Sequence, residues 1–299
     1  MNKVNIMPTI KHLSKNFQGI LLDAYGVFWG GNACGVLPGS KEVMEHLVAE
    51  GKTVGILSNS TQLASKERDK FKANGLIEGT HFHFILTSGE VARHTFANEI
   101  LPFATPNNAY CLFGPPHPKF SSHHHIFELS PFKETTNLKD ADFVYISIPH
   151  INGEDKTSPD LFRDSVASIL DTGLPMVCSN PDRFAHEGNP PQAVVRQGTI
   201  ASLYEEMGGK VFYIGKPYPR VYDHAMKEFM KHDITDHTTI LMVGDTPETD
   251  IRGANTFGMP SVLLTETGIM AERISHHGME SLNKLQGKDI PTYYIQRLG

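Results

Sequence analysis

Apolar residues fall along this chain in short continuous runs, each closed by polar or glycine residues. Between the runs lie stretches whose apolar residues recur at helical spacing. "FQGILLDA" (17–24) reads as a short buried strand. "LPGSKEVMEHLVAEG" (37–51) places Val43, Leu47 and Val48 on one helical face, with Pro38 ahead of the helix and Gly51 placed to end it. "KTVGILSNS" (52–60) is a second strand, and "QLASKERDKFKANG" (62–75) a polar helix stopped by Gly75. "HFILTSG" (83–89) is a third strand, followed by the helical "EVARHTFANEIL" (90–101).

The pattern changes over 102–135, which is rich in Pro, His, Asn and Ser and offers only "AYCLFG" as a strand. "DFVYISI", a helix near 159–171 and "LPMVCSN" follow, then a Pro/Gly/Asn-rich loop, "PDRFAHEGNPPQ" (181–192). A helix over 199–207 leads to the strand "VFYIGK". After it come a helix over 219–231, the strand "TTILMVGD", a helix over 248–256 and the strand "PSVLLTETG". Continuous apolar strands alternating with helices predict a parallel sheet covered by helices. The expected fold is α/β: residues 1–100 and 210–299 form a doubly wound core, and 101–209 form an inserted domain.

Composition narrows the function classes. Apolar content of 39% and charged content of 20% are those of an ordinary globular chain. A net charge of -6 without a long basic run argues against nucleic acid as a partner. No apolar stretch is long enough to cross a bilayer, so no membrane partner is expected, and the N-terminus lacks the apolar core of a secretory signal. Three distant cysteines, Cys34, Cys111 and Cys178, argue against a disulfide framework and for a reducing cytoplasm. The run "HHH" at 123–125 could bind a metal. A solvated loop is the preferred reading, because no acidic or Cys partner stands at a matching spacing.

The chemistry concentrates where apolar strands end. "GILLD" ends in Asp23, "VGILSN" in Ser58 and Asn59, "VFYIGK" in Lys216, and "ILMVGD" in Asp245, with Asp250 after "TPET". In an open parallel sheet the ligand site lies beyond the carboxyl ends of the strands, so these residues are expected to converge. Carboxylates, a hydroxyl and an ammonium together suit a phosphate dianion beside a hard divalent cation.

In order, "LLDAYGV", "LPGSKEVMEHLVAEGKTVGILSNS", "NPDRF", "GKPYPRVYDHA" and "GDTPETDIRGA" resemble the haloacid dehalogenase-like (HAD) superfamily, in its NagD-like branch of p-nitrophenylphosphatases and sugar phosphatases. The resemblance spans about residues 17–268. It implies a Rossmann-like core with an inserted α/β cap domain, and a magnesium-dependent phosphatase of a small phosphorylated metabolite. It implies Asp23 as the nucleophile that forms an aspartyl-phosphate, and Lys216 as the cation that neutralises it. Ser58 and Asn59 would hold phosphoryl oxygens. Mg2+ would be held by Asp23, the Tyr25 carbonyl, Asp245 and Asp250. In "CSNPDRF", Asn180, Asp182 and Arg183 are candidates for substrate selection, with ordinary turn chemistry the competing reading. A homodimer is left open.

One position departs from the family. Its phosphatases usually carry a second Asp two residues after the nucleophile, as general acid and base, and here that position is Tyr25. A phenol, with a reference pKa of about 10 against about 4 for Asp, donates a proton but fits the acid–base cycle poorly. Two other readings follow. One is a catalytically weak phospholigand-binding protein. The other is a metal-free 2-haloacid dehalogenase, whose first motif "DAYG" also resembles; the acids of "GDTPETD" would repel its carboxylate substrate. Trp29 either lines the substrate entrance or packs under the cap.

Overall fold

The computed structural model describes residues 6–7, 9–32, 34–118, 123–187 and 192–299. The chain begins with β1 (Ile6–Met7), β2 (Gly19–Leu22), α1 (Ser40–Ala49), β3 (Thr53–Ser58), α2 (Ala64–Ala73), β4 (Phe84–Thr87) and α3 (Ser88–Asn98). It continues through β5 (Ala109–Phe113), α4 (His124–Phe127), β6 (Lys133–Glu134), β7 (Phe143–Ile146), α5 (Arg163–Leu170) and β8 (Met176–Cys178). Then come β9 (Phe184–Glu187), β10 (Gln192–Val195), α6 (Gln197–Glu206) and β11 (Val211–Tyr213). The last part holds α7 (Pro219–Met230), β12 (Ile240–Gly244), α8 (Arg252–Phe257), β13 (Ser261–Leu264), α9 (Gly268–His277), α10 (Glu280–Asn283) and β14 (Tyr293–Ile295).

These elements form two units. One holds residues up to 58, 64–86 and 216–299; the other holds 59–63 and 87–215. The division falls at 86/87 and 215/216 rather than at the expected 100/101 and 209/210. The start of α3 explains the first shift. Ser88 Oγ donates to the Asn59 carbonyl at 2.8 Å, and the Gly89 N–H to the Ser60 carbonyl at 3.0 Å, so α3 groups with the loop after β3.

The first unit is built on a seven-stranded sheet in the order β1-β14-β13-β12-β2-β3-β4. Its pairings from β1 to β3 are parallel, with Leu22 of β2 opposite Val243 of β12 and Ile56 of β3. Ile20, Leu22, Val54, Ile56, Leu241 and Val243 are buried together with Val43, Met44 and Leu47 of α1. Each such side chain contributes roughly 1.5–3 kcal/mol on burial. Every residue of β2, β3 and β12 is buried, and their pairing sets the strand ends side by side.

The second unit has its own five-stranded parallel sheet, β11-β8-β7-β5-β6, and a separate antiparallel pair, β9 with β10. Val144, Ile146, Met176, Cys178, Ile200 and Tyr204 form its core. Both sheets match the α/β class expected from the alternating pattern.

Three differences from the sequence reading are local. Within the expected loop over 181–192, residues 184–187 and Gln192 belong to an antiparallel pair, with Phe184 opposite Val195. The buried Val194 and Val195 anchor that pair, and the Gly, Asn and Pro residues that suggested a loop, Pro181 apart, belong to 188–191, outside the described residues. The helix expected over 248–256 opens with a π-helical turn, Pro247–Ile251, before α8. Beyond 268, α9, α10 and β14 add to the first unit, and β14 supplies a strand of its sheet. No helix among the described residues is long and apolar enough to cross a membrane.

Candidate active site

Asp23 follows the last residue of β2 and remains tied to the sheet, its N–H donating to the Val243 carbonyl at 2.9 Å. Its side chain is buried, and Oδ1 accepts from Lys216 Nζ at 2.5 Å. Lys216 is only 2% exposed, and the same ammonium reaches Asp250 Oδ1 at 2.8 Å and the Leu57 carbonyl at 2.9 Å. The ammonium donates hydrogen bonds to Asp23 Oδ1 and the Leu57 carbonyl, and its contact with Asp250 is an ion pair. Lys216 therefore links the end of β2, the end of β3 and the π-helical turn.

Asp245 follows Gly244, the last residue of β12. Its Oδ2 accepts from the Ile269 N–H at 2.6 Å, at the start of α9, where the helix dipole favours a carboxylate. Asp250 Oδ2 in turn accepts from the N–H groups of Asp245 and Thr246, each at 3.1 Å. Close packing of backbone makes this possible. A Cβ on Gly26, at φ +79°, would lie 2.5 Å from Asp245 Oδ2. A Cβ on Gly268 would strike the same oxygen, and one on Gly244 would strike Asp250. The glycine of "DAYG" thus serves two needs, a left-handed backbone and the approach of the β2 loop to Asp245.

Asp23, Asp245 and Asp250 are all buried, and each offers an oxygen within 4.8 Å of the others. Three carboxyls face one ammonium. Burial, then the fields of Asp250 and Asp23, hold the Asp245 carboxyl well above the ordinary aspartate range, against the Ile269 hydrogen bond and Lys216. Its charged form is undercompensated, and the donors are all oxygen. Both properties fit a hard divalent cation.

Tyr25 departs from its neighbours. It is 45% exposed, and its hydroxyl accepts from Lys70 Nζ of α2 at 3.1 Å. The ammonium lies 5.1 Å from the Tyr25 ring centroid and pairs with the buried Glu67. Burial acts to lower the pKa of Lys70, but the fields of Tyr25 and Glu67 and their hydrogen bonds outweigh it, leaving it above the ordinary lysine value. Sequence reasoning missed Lys70. Its signal was the buried face Ala64, Glu67 and Phe71 of α2, where an acid occupies a core position with a lysine three residues on.

Trp29 is 1% exposed and packs edge-on against Phe71 at 5.5 Å in the first unit's core. It does not line an entrance. Ser58 is buried as the last residue of β3. In the second unit, Asn59 Nδ2 donates to Asp182 Oδ1 at 2.8 Å, and the Asp182 N–H donates to Asn180 Oδ1 at 2.9 Å. Asn180 thus makes the turn contact that the local sequence favours. The Arg183 carbonyl accepts from the Arg196 N–H at 2.9 Å. A surface cavity of about 390 Å³ between Lys15, Gln18, Lys52 and Asp233 lies at the opposite, N-terminal ends of β2 and β3, away from the acids.

Two family models match the chain, haloacid dehalogenase-like hydrolase over residues 20–117 and HAD-hydrolase-like over 213–295. Chronophin of Mus musculus is 23% identical over 291 residues, covering 94% of this chain and 90% of that protein. A haloacid dehalogenase-like family hydrolase from Brucella suis 1330 is similar at a TM-score of 0.78 and 19% identity, covering 98% of this chain and 100% of that one. Glycerol phosphate phosphatase from Mycobacterium tuberculosis, in complex with magnesium, is similar at a TM-score of 0.66 and 18% identity, covering 97% of this chain and 77% of that one. At these identities the structural likeness concerns the fold.

Proposed function

Because the chain belongs to the haloacid dehalogenase-like hydrolases, we propose that it is a magnesium-dependent phosphomonoesterase. It would take a small phosphorylated metabolite and act through an aspartyl-phosphate on Asp23. The observation that carries this reading is the buried Lys216 ammonium held between Asp23 at 2.5 Å and Asp250 at 2.8 Å, beside a third buried carboxyl. A magnesium-bound phosphatase among the similar structures supports the choice of cation.

In the first step a carboxylate oxygen of Asp23 bonds to phosphorus as the bond from phosphorus to the ester oxygen breaks. The departing alkoxide takes a proton. A water oxygen then bonds to the same phosphorus as the acyl oxygen leaves, which regenerates the carboxylate and releases inorganic phosphate. Lys216 orients Asp23 and offsets the charge gathered on phosphoryl and carboxyl oxygens. Ser58, at the end of the neighbouring strand, supplies a hydroxyl to the phosphoryl group. Asp23, Asp245, Asp250 and the Tyr25 carbonyl would hold the magnesium, which when bound neutralises carboxylate charge and polarises the phosphoryl group. Roles for Asn59, Asn180 and Asp182 in recognising substrate rest on the family resemblance.

Tyr25 takes the general acid's place together with Lys70. A positive charge 3.1 Å from the phenol oxygen favours the phenolate formed on proton release, so the pair can give up a proton and take it back. It remains a weaker donor than a carboxylic acid. The reading therefore includes a preference for substrates whose leaving oxygen needs little help, such as aryl phosphates.

A panel of p-nitrophenyl, glycerol and sugar phosphates, assayed with magnesium and with a chelator, tests the proposal. Magnesium-dependent phosphate release is expected. Chloride release from chloroacetate without metal would instead make the chain a dehalogenase. Tight phosphoester binding with no turnover would make it a binding protein.

A further inference from the structure

The histidine run at 123–125 is a motif that the reaction centre does not use. Its three rings divide between two tasks. His125 Nε2 lies 2.9 Å from the Thr61 carbonyl and is held there. His123 and His124 turn instead toward Glu134 of β6. His123 Nε2 is 3.0 Å from Glu134 Oε2, and His124 Nδ1 is 4.0 Å from the same oxygen. His123 is 3% exposed, and the hydroxyl of the buried Tyr110 stands 3.5 Å from Glu134 Oε2. The sequence offered no acidic partner at a matching spacing. The sheet supplies one, because β5 carries β6 along its edge, with Tyr110 opposite Glu134.

We propose that His123, His124 and Glu134 form a binding site for a borderline divalent transition ion, with zinc the best fit. Their donor atoms all lie within 4.8 Å of one another. Around zinc, with bonds of about 2.0–2.2 Å, tetrahedral donor atoms stand roughly 3.3–3.6 Å apart. The distances of 3.0 and 4.0 Å to Glu134 bracket that value, so small side-chain shifts close the site. Two imidazoles and one carboxylate suit zinc, nickel or copper, whereas the all-oxygen cluster of Asp23, Asp245 and Asp250 suits magnesium. Three protein ligands leave a position for water, on the side where His124 is exposed. Tyr110 would orient the carboxylate, as groups behind metal ligands commonly do. A bound ion ties the start of α4 to β6, the edge strand of the second unit's sheet.

The test uses the full chain, stripped of metal and returned to millimolar magnesium so that the acid cluster is occupied. Zinc is titrated by calorimetry, and cobalt(II) is added separately to read its visible d–d absorption. One zinc per chain is expected, together with a cobalt spectrum of tetrahedral type. His124→Ala, at an exposed side chain, and Glu134→Gln, which keeps shape and a hydrogen-bonding oxygen, should each weaken zinc at least about tenfold and remove the cobalt signature. Zinc affinity unchanged in both variants, or no zinc retained by the wild type at micromolar concentration, overturns the site.

Discussion

The acid cluster of the first unit and the histidine–glutamate cluster of the second are assembled in opposite ways. Asp23, Asp245 and Asp250 stand at the ends of β2 and β12 or in the π-helical turn that follows, fixed by backbone N–H groups, glycine contacts and Lys216. His123, His124 and Glu134 come from the start of a four-residue helix and a two-residue edge strand, and are joined by side chains. The first cluster is buried, all oxygen and tied to fully buried strands of a sheet. The second is half open to solvent and mixes nitrogen with oxygen. A parallel sheet brings strand ends together wherever they lie in the chain, so the first can support chemistry that needs fixed geometry, whereas the second has only local support.

The sharpest way to break this contrast is to remove the carboxylate at its centre. Asp23→Asn keeps an oxygen for Lys216 and loses the carboxylate proposed to attack phosphorus. Turnover of p-nitrophenyl phosphate should fall about 10⁴-fold or more, with circular dichroism and the melting temperature close to those of the wild type. Substantial remaining activity would show that the cluster is not the reaction centre.

The Tyr25–Lys70 pair sharpens the comparison, because Tyr25 stands two residues after Asp23 yet is exposed, as His124 and Glu134 are. Tyr25→Asp should raise turnover of a sugar phosphate within a range of about 10²–10⁴-fold, and that of an aryl phosphate far less. Lys70→Met should act in the reverse sense, slowing the alkyl substrate more than the aryl one. Equal effects on both substrates in either variant would remove the pair from proton transfer.

A smaller effect separates stability from function. Asp245 titrates above the ordinary range in the fold, so the folded chain holds this proton more tightly than the unfolded chain does. Its contribution to stability is present below the ordinary carboxyl value near pH 4 and is lost as pH rises through the higher folded value. Metal-free Asp245→Asn should therefore melt above metal-free wild type at pH 7, by on the order of a few degrees. The difference should close below about pH 4. Scanning calorimetry in a chelator checks this, and a lower-melting variant at pH 7 would show that the carboxylate is compensated.

The same contrast explains what could be read from the sequence. Asp23, Ser58, Lys216 and Asp245 were visible because each closes a continuous apolar run, and a buried parallel strand has few other sequence signatures. Lys70 was hidden inside a mostly polar helix, and its partner Tyr25 lies 45 residues away. Glu134 was hidden because β6 is two exposed residues long, too short to show a period. Trp29 fitted two readings, and its packing on Phe71 chose the core. Gly26 could be read only as a turn residue. Its contact with Asp245 depends on β2 and β12 being neighbours, which is a property of the sheet order.

The central claim is that Asp23 carries the phosphoryl group during turnover. The direct measurement is an acid quench of the magnesium-loaded protein reacting with ³²P-labelled p-nitrophenyl phosphate, followed by peptide mapping with and without hydroxylamine. The account predicts a hydroxylamine-labile label on the peptide that contains Asp23. It also predicts a p-nitrophenol burst approaching one equivalent per chain, because Tyr25 is a poor base for the second step. Label on a histidine or a serine, or an equally labelled Asp23→Asn protein, would contradict it.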